Sequence, residues 1–103
     1  MKKVSEYNNN IEMTLKEMTY EKIDIVLDRI NNEIYNRFNN KLDQIQIANL
    51  YLNKDNLIMF KNTIRTLTNF DDIYNATYQC NKELMRIESE LNTNTIYYNT
   101  TLH

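Results

Sequence analysis

An all-α fold, a small bundle of three to four helices, follows from three observations on this chain. Apolar residues recur at gaps of three and four along most of its length, no Gly or Pro interrupts them, and the turn-like stretches are clusters of Asn, Asp and Thr. At 103 residues the sequence has room for one modest core, so residues 1–103 are read as a single domain.

Val4, Tyr7, Ile11, Leu15 and Met18 form the first stripe and predict a helix from about Lys3 to Met18. Ile11, Met13 and Leu15 also alternate, so a short strand is the competing reading for residues 11–15. Thr19 has the chemistry of an N-cap, with Met18 and Ile23 in the positions of a hydrophobic staple, which places a break at residues 18–20. The stretch from Glu21 to Leu52 then carries Ile23, Leu27, Ile30, Ile34, Phe38, Leu42, Ile45 and Leu52 on one broad helical stripe. Unbroken, this central helix would run roughly 50 Å, and the Asn31-Asn32 and Asn39-Asn40 pairs are the expected points of any bend or break.

Asn53-Lys54-Asp55-Asn56 is the most turn-like cluster, and Leu52 and Leu57 flank it as a second staple. The helix after it carries Leu57, Phe60, Ile64 and Leu67, with Lys54, Lys61 and Arg65 on a neighbouring strip. Thr68 and Asp71 have capping-box spacing, and Asp71 and Asp72 suit the positive end of a helix. In the last helix Ile73, Thr77, Cys80, Leu84, Ile87 and Leu91 form an inner stripe, and Tyr74, Tyr78 and Met85 form a second strip roughly 120° away. From Asn92 the Thr- and Tyr-rich pattern favours extended structure, so residues 92–103 are expected to be a tail or an edge strand.

Composition narrows the chemistry. Phosphate-cradling loops and the nucleophile elbow need residues without a Cβ, and the chain has no Gly. Its one histidine is His103, the last residue, and only Ser5 and Ser89 could supply a serine nucleophile, with no base nearby in sequence. Asp71 and Asp72 read as helix-start charge, and Glu83, Glu88 and Glu90 as a solvated face. No catalytic centre, cofactor, metal site or small-molecule substrate is therefore expected. The lone Cys80 lies on an apolar stripe and reads as core. No apolar run is long enough to span a bilayer, and Met1-Lys2-Lys3 is followed by polar residues rather than a signal core, so a cytoplasmic protein without membrane association is expected.

Binding is the remaining class, and two versions compete. Net charge is −2, but residues 29–66 carry six basic and three acidic side chains. In a DNA-binding reading, residues 44–67 form a helix-turn-helix. Lys54, Lys61 and Arg65 meet phosphates or base edges, Asn62 reads adenine, and Arg37 and Lys41 hold the flanking backbone. In the protein-binding reading, Tyr74, Tyr78 and Met85, or Tyr97 and Tyr98 in the tail, grip a larger protein or a second copy of the chain. The second reading is preferred, because the chain is acidic overall and Leu52 stands where the helix-turn-helix commonly uses glycine. The expected function is a non-enzymatic regulator or inhibitor of the type found in phages and other mobile elements.

Overall fold

Inner stripes on three long helices meet around one core in the computed structural model, which describes the backbone of residues 2–38 and 43–101 and the side chains of residues 11–38 and 43–93. Helix α1 spans Lys2–Arg37, α2 spans Gln44–Thr66 and α3 spans Phe70–Thr101. The body measures 64 × 21 × 17 Å. Ile23, Val26 and Ile30 from α1, Leu57 and Ile64 from α2, and Ile73, Cys80 and Ile87 from α3 are fully buried. Each of the larger ones contributes about 1.5–3 kcal/mol of transfer free energy.

Polar contacts between helices set their directions. Lys16 Nζ donates to Leu67 O at 2.6 Å, and Lys61 Nζ to Asp24 Oδ1 at 2.9 Å, while Arg37 Nη1 lies 3.7 Å from Asp43 Oδ1, so α1 and α2 are antiparallel. Arg86 Nη2 donates to Asn53 Oδ1 at 2.8 Å and Arg29 Nη2 to Asn92 Oδ1 at 2.9 Å, which runs α3 against α2 and along α1. The short Leu67–Asn69 connection reverses the chain between α2 and α3. Leu67 is extended, with φ −76° and ψ 139°. Asn69 Oδ1 accepts from the amides of Asp71 at 2.8 Å and Asp72 at 3.4 Å, so Asn69 caps α3, one residue after the Thr68 position that the sequence suggested. Because Lys16 reaches the end of α2, the first turns of α1 run past this connection.

Several boundaries differ from the sequence reading. Residues 18–20 contain no break and residues 11–15 no strand, since α1 is continuous through both. Buried Thr19 satisfies its hydroxyl by donating to Leu15 O, four residues back, at 2.8 Å, a bond available inside a helix as readily as at its start. Asn31 and Asn32 are exposed on the same unbroken helix and need no bend. The long central stripe does divide, between Arg37 and Gln44; Asn39, Asn40, Lys41 and Leu42 lie outside the described residues. The division resets the helical phase. Phe38, Ile45 and Leu52, read as core, are exposed, and Leu50 takes the inner position instead.

No turn exists at residues 53–56, because α2 is a single helix through them. The polar Asn53 is buried there, its amide oxygen used by Arg86 from α3 rather than by a local turn. Nor is residue 92 onward extended: helix α3 carries the backbone to Thr101. Its inner stripe continues in phase to Leu91, and the small helical penalty of Thr and Tyr does not outweigh that continuation. The chain is therefore an all-helical, three-helix bundle, and the described residues contain no fourth helix and no strand.

Candidate functional site

The Tyr74, Tyr78 and Met85 strip is exposed along one edge of α3, each residue more than half accessible. Asn92 continues the same line at a further seven residues, and it is the acceptor for Arg29 of α1, so the strip borders α1. On α1, Met18, Lys22, Ile25 and Arg29 recur at four, three and four residues and form the facing line. Met18 and Ile25 are also more than half exposed. The two lines place five large apolar side chains along the outside of the α1–α3 seam. Met18 and Ile25 repeat at seven residues, as Tyr78 and Met85 do, but only the pairing of α1 with α3 brings the two lines together. Phe70 stacks on Tyr74 with ring centres 6.2 Å apart, and Lys82 Nζ sits 5.2 Å above the Tyr78 ring, so both tyrosines are braced from their own helix. Tyr97 and Tyr98 lie in the part of α3 whose side chains are outside those described.

Among the basic candidates, Lys54, Lys61 and Arg65 share one strip of α2, while Arg37 lies at the end of α1. Arg37 is buried at the end of α1, its Nε donating to Glu33 Oε2 at 3.1 Å and its Nη1 facing Asp43. It closes the α1–α2 junction. Lys61 is paired with Asp24 and lies 5.8 Å over the Tyr20 ring, so it serves the α1–α2 contact. Lys54 lies 6.0 Å over the Tyr51 ring, and Asn62 and Arg65 are exposed on α2. Lys41 is outside the described residues. Without a turn at 53–56, these side chains do not sit on a separate recognition helix.

Arg86 organises the opposite side of α3. It bonds Glu83 at i−3 and Glu90 at i+4 and reaches Asn53 on α2. The guanidinium hydrogen bond holds the Glu83 carboxyl below its usual pKa and raises that of Arg86 itself. Burial, with the nearby Glu83 charge, pushes the Cys80 thiol up to about 11, which leaves it protonated and poorly nucleophilic at neutral pH. Between α2 and α3 lies a groove of about 320 Å³ lined by Asn56, Met59, Phe60, Thr63, Ala76 and Glu83. It offers a mostly apolar notch beside one carboxylate. Among the described residues no group of three or more His, Cys, Asp or Glu is placed to hold a metal ion, and no helix is long and apolar enough to cross a membrane.

These features define a helical protein that exposes an apolar strip along the α1–α3 seam. No protein-family model, curated protein or solved structure matches the chain.

Proposed function

We propose that this chain is a non-catalytic helical protein that acts by binding a larger protein partner, as a regulator or inhibitor of the kind carried by phages and other mobile elements. The observation that supports this reading is the exposed line of Met18, Ile25, Tyr74, Tyr78 and Met85 along the α1–α3 seam. Tyrosine brings large contact area with few rotors to freeze, and methionine adapts to irregular surfaces, so such a strip suits a protein surface better than a charged polymer. The partner would present a complementary apolar ridge or helix.

The test is capture of a stoichiometric partner by the native chain and by a Tyr74→Ala/Tyr78→Ala variant that keeps its helical circular dichroism. Loss of the partner in the variant is expected; equal capture would remove the strip from the proposal. Duplex DNA is the control ligand. Salt-sensitive DNA binding that disappears in a Lys61→Ala/Arg65→Ala variant would overturn the protein-binding reading in favour of a nucleic-acid one.

A further inference from the structure

We propose that Met18 and Met85 are modification sites at which a peroxide remodels the α1–α3 strip of the folded protein, each thioether taking up one oxygen while the buried Cys80 is passed over. Methionine is ordinarily a filler of cores, because its unbranched side chain adapts to irregular gaps. Among the described residues the core holds none and is built from Ile, Leu, Val and Cys80. Met13, Met18, Met59 and Met85 are instead 58%, 52%, 64% and 72% exposed. A small oxidant in solvent therefore meets these side chains without any opening of the bundle.

The step asks nothing of the protein but access. A sulfur lone pair attacks one oxygen of the peroxide, the O–O bond breaks as the S–O bond forms, and the other oxygen leaves as water or an alcohol. Sulfur gives up two electrons, the peroxide takes them, and the product is a sulfoxide that a sulfoxide reductase can return to the thioether. A thiol, by contrast, reacts as its thiolate. Cys80 is fully buried, and with its pKa pushed up to about 11 it is almost wholly protonated at neutral pH. The usual order of sulfur reactivity is thus inverted. Sulfoxide formation gives two of the five large apolar side chains of the strip, Met18 and Met85, a strong dipole and a hydrogen-bond acceptor, and leaves the core as it was. Loss of a bound partner under oxidant is the expected consequence, and it rests on the protein-binding reading above; the modification itself does not.

The test treats the purified full chain with hydrogen peroxide at neutral pH and follows peptide masses, circular dichroism and retention on a phenyl matrix, the apolar probe. One added oxygen on each of Met18 and Met85, unchanged helicity, weaker retention, and a Cys80 that is still fully alkylated after unfolding are expected. In a Met13→Leu/Met59→Leu background the loss of retention should persist, and adding Met18→Leu/Met85→Leu should remove it, since leucine has a similar volume and no sulfur to oxidise. Oxidation of Cys80 as fast as the methionines would overturn the inference, and so would loss of helicity as they react, because either would mean that the sulfurs are reached only by opening the bundle. Unchanged retention after complete sulfoxide formation would overturn it too. A partner captured by the native chain should bind the oxidised chain more than about tenfold more weakly. Capture that is absent before oxidation sinks the binding reading alone, whereas capture that survives two sulfoxides on the strip overturns the remodelling.

Discussion

Leu50, Leu57 and Ile64 on α2 are sealed against the neighbouring helices, whereas Ile45, Leu52 and Met59, spaced by the same seven residues, face outward. The two stripes use nearly the same side chains and lie about 140° apart on one helix, at ~100° per residue. What separates them is not hydrophobicity. The rotation of α2 is fixed at its ends, by Arg37 and Asp43 at the α1–α2 junction and by Lys16 on the Leu67 carbonyl at the other. Arg86 of α3 adds a third constraint midway, through Asn53. Polar contacts at both ends and midway hold α2 in this rotation, and the second apolar stripe is left exposed.

The sharpest way to break this comparison is to truncate one residue in each stripe. Leu57→Ala should cost about 4 kcal/mol in urea unfolding, because it empties a fully buried position. Leu52→Ala should cost no more than about 0.5 kcal/mol. Equal losses would mean that both faces are core. Next in size, Arg37→Ala should cost about 3 kcal/mol by leaving the Asp43 carboxylate buried without its cation. An unchanged midpoint would show that the junction does not hold α2. Asn69→Ala removes the cap on α3 and should cost about 1 kcal/mol, read as a small downward shift of the thermal midpoint.

The smallest effect concerns pH. The folded pKa of Glu83 lies below its ordinary 4.5, so its contribution is complete above about that pH and is lost as the pH falls through the lowered value. Glu83→Gln should flatten the acid limb of stability by no more than about 0.5 kcal/mol, since the pair is partly exposed. A variant with the same acid limb as the native chain would remove Glu83 from the constraint that Arg86 places on α2.

The fold was legible where one helix kept one phase. Ile73, Thr77, Cys80, Leu84, Ile87 and Leu91 are all buried as their spacing predicts, and so are Ile23, Ile30 and Ile34. It was not legible where a polar side chain serves a distant partner. Asn53 and its neighbours have turn chemistry, yet Asn53 is held by a residue 33 positions away. Lys61 read as a free cation, yet its acid, Asp24, is supplied by tertiary contact, and Arg37 adds Asp43 across the junction to the local Glu33 four residues back. Half of the exposed strip, Tyr74, Tyr78 and Met85, could be read from periodicity within α3. Its companions Met18 and Ile25 required the pairing of α1 with α3, which no local pattern encodes.

Cys80 gives the bundle a clock of its own. The thiol is fully buried on α3 and is the chain's only sulfhydryl, so an alkylating reagent can reach it only when α3 lifts from its neighbours. Its rate of modification in the native state therefore reports how often the core opens, one helix at a time or all at once, without any label being added.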